Sequence, residues 1–267
     1  MIRKIEIGKA SFNVPVTDNE LDTDWDSIAK NYEPKTFKVF DNCLSSTDLA
    51  LEVGIDASQT TFATASLAGK LIAIEPSSRS ISYAQTILEV NPNLKEKVVL
   101  IHGALSDTNE EVIFGPNQKL FDDIHFSSLS TPLKVKGFTI EQLEQIAQGK
   151  ITFINMDIEG GEYIVLPAMN NWIRKRRPML LLSLHPGFLL DKKKKKQPKL
   201  YRYIRRFTEQ RKIYNSIKLY KYIYDVESEK RISSLGVFRL KFVRSKSGQY
   251  SQILCSNFSL KEQLHFN

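Results

Sequence analysis

Cysteines and long apolar runs are both scarce in this sequence of 267 residues. Its two cysteines, Cys43 and Cys255, are too few for a disulfide framework or a cysteine-based zinc site. The longest apolar run, Met179 to Leu182, is far shorter than a membrane span, and the N-terminus has no apolar core of signal-peptide length. We therefore expect a cytoplasmic protein without a transmembrane segment.

Glycine is also missing where a dinucleotide-binding turn needs it. A G-x-G-x-x-G pattern would start at Gly54, but Asp56 and Gln59 occupy its second and third glycine positions. The pyrophosphate of NAD or FAD needs close approach to the backbone of this turn, so the sequence argues against both cofactors. An adenosyl ligand without phosphates requires less of the turn.

The residues around this turn nevertheless have the order of a nucleotide-binding α/β unit. An apolar strand over Leu49 to Val53 enters the turn, Gln59 to Ala68 suits a crossover helix, and Leu71 to Ile74 is a second buried strand. Glu75 ends that strand 21 residues after Gly54, where a carboxylate can accept hydrogen bonds from both hydroxyls of a ribose. The pattern predicts a nucleotide or nucleoside site, and an ordinary α/β turn is the alternative.

Strands and helices continue to alternate along the chain. Three more buried strands are predicted over Val98 to Ile101, Ile151 to Met156 and Met179 to Leu184. Helices are predicted over Thr36 to Leu44, Ser80 to Val90, from Thr139 onward, Tyr163 to Trp172 and Leu200 to Ile213. Additional strands are predicted over Glu111 to Phe114, Ile217 to Val226, Val237 to Val243 and Tyr250 to Cys255, and a long loop over Phe121 to Val135.

This alternation predicts an α/β fold with a doubly wound, mostly parallel sheet closed by antiparallel pairing. Residues 1–35 show little periodicity and are expected to form an irregular lead-in. Residues 36–267 are expected to form a single domain with a basic insertion at 191–212. In such a sheet, ligands bind beyond the carboxyl ends of the strands. Polar residues or glycine follow nearly every predicted strand there: Glu52, Gly54, Glu75, Ser106, Asp107, Asp157 to Glu162 and His185.

Several short blocks give the chain a resemblance to a known family. They read Glu-Val-Gly-Ile-Asp-Ala-Ser, Ile-Ala-Ile-Glu-Pro, Ala-Leu-Ser-Asp, Phe-Thr-Ile-Glu-Gln-Leu, Asn-Met-Asp-Ile-Glu-Gly-Gly-Glu and Leu-Ser-Leu-His-Pro. Over about Asp48 to Pro186 the sequence resembles the FkbM family of S-adenosylmethionine-dependent methyltransferases. The resemblance implies a seven-stranded Rossmann-like sheet, S-adenosylmethionine as cofactor, and O-methylation of a sugar, glycan or natural product.

The first block departs from the family pattern Asp-x-Gly-Ala-Asn-x-Gly. Glu52 stands in place of the Asp, Ile55 of the Ala, Asp56 of the Asn and Ser58 of the second Gly. The change at Ser58 costs most if the backbone there needs a positive φ. Ser183 also stands where the family often has Glu. A binding protein that keeps the methyltransferase fold without catalysis is therefore one alternative.

The candidates for cofactor binding are the residues at the strand ends: Glu52, Gly54, Asp56, Glu75, Ser106, Asp107 and Asp157. Glu75 would accept from the ribose, and Gly54 would let the turn pass beside the cofactor. Glu52 or Asp56 would attract the ammonium group, with a helix-capping role for Asp56 or Ser58 as the alternative. Ser106 and Asp107 would lie against the adenine, unless they form an ordinary turn.

Methyl transfer to a hydroxyl needs a group that takes the proton of that hydroxyl. His185 is the first candidate for this base because an imidazole titrates near neutral pH, and Asp157 is the second catalytic candidate. A hydrogen-bonded histidine before Pro186 is the alternative. Glu159 and Glu162 are assigned to the substrate. Asp157, Glu159 and Glu162 could instead hold a divalent metal, which is not the favoured interpretation.

The net charge of +8 is concentrated in one segment. Residues 191–212 contain eleven Lys and Arg against two acids, a local net charge of +9. The expected partner is a small-molecule or glycan acceptor. The lysines Lys192 to Lys196 leave open a nucleic acid, which would make the chain a nucleic-acid methyltransferase, or an anionic surface.

Overall fold

The structure is a computed structural model, and it describes residues 1–16, 25, 28, 32–114, 132–186, 199–238 and 251–260, without the side chains of 199 and 201–203. The chain forms two compact units. The first comprises Met1–Ala104 with Glu141–Asn155, and the second comprises Leu105–Ile140 with Met156–Asn267. Among the described residues, no helix combines the length and the hydrophobicity needed to cross a membrane.

Thirteen strands and eight helices are named here in chain order. The strands are β1 (Ile2–Ile7), β2 (Ala10–Pro15), β3 (Leu49–Val53), β4 (Lys70–Glu75), β5 (Val98–His102), β6 (Ala104–Leu105), β7 (Glu111–Phe114), β8 (Leu133–Phe138), β9 (Phe153–Met156), β10 (Met179–Leu184), β11 (Tyr222–Asp225), β12 (Lys230–Arg231) and β13 (Ser251–Ser256). The helices are α1 (Pro34–Cys43), α2 (Gln59–Leu67), α3 (Ser78–Glu89), α4 (Pro92–Lys95), α5 (Ile140–Ala147), α6 (Glu162–Ala168), α7 (Asn170–Arg176) and α8 (Lys199–Ile217).

The first unit is built on parallel strands. The order of its strands in the main sheet is β9-β3-β4-β5, and β3 pairs in parallel with β4, as β4 does with β5. All five residues of β3 are buried. A strand buried on both faces needs a nearly continuous apolar sequence, and this is the pattern from which β3 is predicted. Helix α2 connects β3 to β4, and its residues from Thr61 to Ala65 are buried. The predicted strand–turn–helix–strand unit is therefore confirmed.

The N-terminus corrects the prediction of an irregular lead-in over residues 1–35. Strands β1 and β2 form an antiparallel hairpin, in register from Ile2 opposite Pro15 to Ile7 opposite Ala10. Phe12 of β2 packs against Phe62 of α2, with ring centroids 5.8 Å apart. The hairpin is thus part of the core of the first unit, because its alternate residues are apolar and have a helix to pack on.

Antiparallel pairing dominates the second unit. Strand β13 lies between β10 and β11 and is antiparallel to both, and β12 pairs with the far edge of β11. The residues of β10 and β13 are all buried. Strands β6, β8 and β7 form a separate three-stranded sheet in that order, in which β7 and β8 are antiparallel. Helix α8 packs on α6.

The α/β, doubly wound, Rossmann-like class with antiparallel closing pairing is confirmed, but the main sheet has eight strands instead of seven. Three local predictions are corrected. The predicted loop over Phe121 to Val135 ends in β8, and its residues up to 131 lie outside the described ones. The predicted helix from Tyr163 to Trp172 is divided between α6 and α7.

The third correction concerns the end of the chain. Helix α8 extends through Ile217, so the strand predicted from that residue starts only at Tyr222. Val237 and Phe238 are helical, and the rest of the strand predicted over Val237 to Val243 lies outside the described residues. The domain boundary at residue 36 and the basic insertion at 191–212 stay predictions.

Candidate functional site

The turn after β3 has an unusual backbone. Gly54, Asp56 and Ser58 have φ values of 92°, 44° and 72°. Glycine adopts a positive φ without an energetic cost and Asp tolerates it. In Ser the contact between Cβ and the backbone makes this conformation unfavourable. The backbone at Ser58 therefore has the positive φ that makes Ser less favourable there than the Gly of the family pattern. Ser58 stands at the N-cap position of α2, but its side chain makes no capping hydrogen bond, so that alternative role is wrong.

Glu75 holds this turn in place. Its Oε2 accepts a hydrogen bond from the backbone N–H of Ile55 (2.9 Å), and its Oε1 accepts one from Ser77 at the start of α3 (2.8 Å). Burial raises the pKa of Glu75, and the backbone N–H groups of Ile55, Ser77 and Asp56 partly offset that rise. A carboxylate has about four acceptor positions, so at least one is left for a ligand hydroxyl.

Glu52 lies below the turn and is buried. Its Oε1 accepts hydrogen bonds from Thr60 Oγ1 (2.5 Å) and from Asn155 Nδ2 (3.0 Å), which join β3 to α2 and to β9. These contacts fit a structural role better than the predicted contact with an ammonium group. Asp56 is exposed, and it is the accessible member of the two acids proposed for that contact.

Ser106 and Asp107 follow β6 in the second unit. The backbone N–H of Ser106 donates to the carbonyl of Phe138 (2.9 Å), and its hydroxyl donates to Asp107 Oδ1 (3.3 Å). Asp107 is exposed. These contacts describe a solvated turn, and the predicted contact of both residues with adenine stays a prediction.

Glu162, the first residue of α6, organises the loop that precedes this helix. Its Oε1 accepts a hydrogen bond from the backbone N–H of Ile158 (3.0 Å), and its Oε2 accepts one from Gly160 (2.9 Å). Glu159 and Gly160 have φ values of 47° and 108°, so the loop bends through the left-handed region twice. Glu162 is fully buried, which differs from the predicted contact with a substrate. The substrate role of Glu159 stays a prediction.

His185, after β10, lies between two carboxylates. Its Nδ1 is 3.1 Å from Oε1 of Glu162, and its Nε2 is 3.5 Å from Oδ1 of Asp157. Burial by itself lowers the pKa of His185, but the hydrogen bond to Glu162 and the charges of Glu162, Asp157 and Glu159 raise it to about 9. The expectation that this imidazole titrates near neutral pH is therefore corrected: it is a cation at pH 7.

Among the described residues, the same three side chains form the group that could hold a metal ion. Ligand atoms of Asp157, Glu162 and His185 lie within 4.8 Å of one another. A metal ion would have to displace the proton of His185, and Glu162 already accepts hydrogen bonds on both oxygens. Glu159, which the sequence grouped with these acids, is not part of this set.

Sequence reasoning missed both partners of Glu52, Thr60 on α2 and Asn155 on β9. Asn155 stands in the block Asn-Met-Asp, inside a strand that is otherwise apolar. A buried amide needs a hydrogen-bond partner, so this residue is the available signal. The sequence does not show that this partner is Glu52, because the two residues are 103 positions apart.

Comparison with solved structures finds methyltransferases. One is the methyltransferase FkbM from Methylobacillus flagellatus KT, with 16% identity and a TM-score of 0.46, over 82% of this chain and 47% of that one. A dimethyladenosine transferase from Plasmodium falciparum shows 14% identity, a TM-score of 0.42, and coverage of 87% and 63%. An O-methyltransferase from Bacillus cereus in complex with SAH (S-adenosylhomocysteine) shows 15% identity, a TM-score of 0.41, and coverage of 82% and 77%.

The chain spans about half the length of the first of these proteins and less than two thirds of the second. A search of curated proteins finds no match. The family model described as Methyltransferase FkbM domain matches residues 52–212, more than half of the chain and including the Glu75 turn, the Glu162 loop and His185. The chain therefore belongs to the FkbM methyltransferase family.

Proposed function

We propose that this chain is an S-adenosylmethionine-dependent O-methyltransferase whose acceptor is a hydroxyl of a sugar, a glycan or a natural product. The observation that carries the proposal is the Glu75 carboxylate, which is buried at the end of β4, holds the glycine turn through backbone N–H groups, and keeps acceptor capacity. Family membership supplies the reaction class.

The residues of the first unit fit the nucleoside part of the cofactor. Ribose hydroxyls are donors, and a buried carboxylate without a neighbouring cation among the described residues gains from additional donors. Gly54 has no Cβ on the turn, so its backbone can lie against a ligand. Exposed Asp56 offers a carboxylate to an ammonium group. Together these residues would bind and orient an adenosyl amino acid without contacting any phosphate.

The second unit would handle the proton of the acceptor. When bound, the cofactor supplies an electrophilic methyl group on a sulfonium. Glu162 faces Nδ1 of His185 and so fixes the orientation of the ring, with Nε2 on the side of the partly exposed Asp157. His185 would accept the hydroxyl proton at Nε2, and Asp157 would orient the hydroxyl. Because His185 accepts a proton only when neutral, methyl transfer is expected to speed up as the pH rises toward about 9.

This pH dependence is the test of the base. In a radiolabelled methyl-transfer assay against a panel of sugars, the rate at low acceptor concentration should rise about tenfold per pH unit below the pKa of His185. Glu162→Gln removes a charge that raises this pKa, so the rising limb should move to lower pH. A rate that stays level between neutral pH and pH 9 would assign the proton transfer to Asp157 instead.

We propose that the reaction needs no metal, because the imidazole is protonated and both Glu162 oxygens are engaged. Full activity in EDTA would support this, and restoration by Mg²⁺ after EDTA would contradict it. The nucleic-acid alternative rests on the basic segment 191–212, of which residues 191–198, including Lys192 to Lys196, lie outside the described residues. The non-catalytic alternative rests on the positive φ of Ser58. A cytoplasmic location stays a prediction from the sequence.

Calorimetric titration with S-adenosylhomocysteine tests the cofactor site of the full chain. The wild type should bind it in the micromolar range, and Glu75→Ala should weaken binding at least a hundredfold through loss of both the ribose acceptor and the anchor of the turn. Glu89→Ala replaces an exposed glutamate of the same unit and should leave binding unchanged. Absence of wild-type binding at millimolar ligand would contradict the proposed activity.

A further inference from the structure

Helix α8 exposes large apolar side chains along one line. Leu200, Ile204 and Phe207 are 70%, 55% and 48% exposed. They are spaced by four and three residues, so at 100° per residue they share one face of the helix. Exposed apolar residues are ordinary singly, but a row of three on one helix face marks an interaction surface.

Other sides of α8 attach the helix to the rest of the second unit. Ile213 is buried on the opposite face, Gln210 and Ile217 are buried on the flank between the two faces, and the helix packs on α6. Ile204 and Ile213 are nine residues apart, which places them half a turn from each other around the axis. The exposed row therefore lies away from the most deeply buried side of α8 at Ile213.

The charge around this row is strongly positive. The helix sequence contains six Lys and Arg, and its one acid, Glu209, pairs with Lys212 (2.9 Å). Exposed Arg211 follows Phe207 on the same face, and exposed Lys218 comes directly after the last residue of the helix. In the sequence, five more lysines, Lys192 to Lys196, come just before the helix, outside the described residues.

We infer that the outward face of α8, formed by Leu200, Ile204, Phe207 and Arg211 together with Lys218 just after the helix, is a docking surface for an anionic lipid membrane. An amphipathic helix that lies in a membrane surface combines an apolar row, which enters the boundary between headgroups and acyl chains, with Lys and Arg, which attract anionic headgroups. A nucleic acid would use the same charges but would gain little from two exposed aliphatic side chains. A membrane accounts for both properties, and it would place the enzyme beside acceptors that are themselves attached to lipid.

Vesicle co-sedimentation of the full chain tests this surface. The probes are vesicles of phosphatidylcholine alone and vesicles of phosphatidylcholine with an equal amount of phosphatidylserine. The wild type should sediment with the anionic vesicles and not with the neutral ones. Added salt should weaken this binding without abolishing it, because salt screens the charges but does not affect the apolar contact.

The deciding variant is Ile204→Ser with Phe207→Ser, which should weaken binding to anionic vesicles at least tenfold. The matched control is Ile2→Ser with Phe258→Ser, which removes the same two residue types at 60% and 56% exposure outside α8 and should not change binding. Thermal unfolding of both variants shows whether each is folded. Replacing Arg211 and Lys218 by Gln should also weaken binding.

Four results would overturn the inference. The first is no binding of the wild type to anionic vesicles. The second is binding that the serine variant keeps, since the apolar row would then not be the contact. The third is binding of single-stranded RNA, lost in the charge variant, without vesicle binding. The fourth is wild-type self-association in analytical ultracentrifugation that the serine variant removes, since a second copy would then cover the face.

Discussion

Two buried glutamates, Glu75 and Glu162, have the same kind of position in the two units but are stabilised differently. Each lies near the start of a helix and accepts backbone N–H hydrogen bonds, at least one of them from a loop that contains residues with positive φ. Glu75 has only such backbone donors among the described residues. Glu162 has in addition the imidazolium of His185.

This difference indicates what each carboxylate can do. Among the described residues no cation balances the charge of Glu75. Burial raises its pKa, and a ligand that brings hydroxyl donors would stabilise the carboxylate. The charge of Glu162 is balanced by His185, so its carboxylate serves to position the loop and the imidazole. Glu75 is thus suited to bind a ligand, and Glu162 to orient a catalytic group.

The largest expected effect is the loss of stability in Glu162→Ala. Removing this carboxylate leaves a buried imidazolium and two loop N–H groups without their acceptor, which should lower the free energy of unfolding by about 3–5 kcal/mol. Glu75→Ala leaves only backbone donors without an acceptor and should cost about 1–3 kcal/mol. Urea unfolding at pH 7 measures both values.

Glu110→Ala is the control for that comparison, because it replaces an exposed glutamate in the same unit as Glu162. It should change the free energy of unfolding by less than about 0.5 kcal/mol. If Glu162→Ala cost no more than this control, the ion pair with His185 would have no structural importance.

The next effect is the pH dependence of stability that His185 imposes. Its folded-state pKa of about 9 lies above the ordinary value of 6.5, so the protonated ring stabilises the fold. This contribution, about 3 kcal/mol, is fully present below pH 6.5 and is lost as the pH rises through about 9. Urea unfolding of the wild type and of His185→Gln between pH 6 and pH 10 should show the two free energies approaching each other at high pH. A constant difference across this range would show that the contacts of His185 stabilise the fold independently of its charge.

The smallest effect concerns the turn that Glu75 holds. Ser58→Gly removes the Cβ at a φ of 72° and a buried hydroxyl that has no partner among the described residues, so it should raise the free energy of unfolding by about 1 kcal/mol. Ser58→Ala keeps the Cβ and removes only the hydroxyl, and it should gain less. S-adenosylhomocysteine binding by Ser58→Gly should be at least as tight as by the wild type. Weaker binding would mean that the Ser58 side chain contributes to the cofactor site.

Much of the fold is predictable from local sequence. The strands β3, β7 and β10 begin and end at the predicted residues. For β3 and β10 the reason is that buried strands inside a sheet are nearly continuous apolar runs bounded by turns. The hairpin at the N-terminus was missed, although Phe12 and Val14 alternate with polar residues. A short alternation becomes a strand only if something covers its apolar face, and here Phe62 of α2 does so.

The residues of the candidate site also fall into those that local sequence predicts and those that depend on distant contacts. Glu75 and the turn at Gly54 were predicted because their roles depend on their position beside a strand end, which is local information. The pairing of His185 with Glu162 and of Glu52 with Asn155 joins residues 23 and 103 positions apart. Such pairing depends on how strands and helices pack, so a sequence that shows the ionisable groups does not show their partners.

The sequence by itself determined the alternation of the strands β3, β4, β5, β9 and β10 with helices, the acid at the end of β4 and the family. These follow from apolar periodicity and from residue types at fixed spacing. Only the tertiary structure decided that Glu52 and Glu162 are buried supports and that His185 is a cation at neutral pH. The physical reason is that a pKa and an exposed surface are set by burial and by neighbouring charges, and both come from residues distant in the chain.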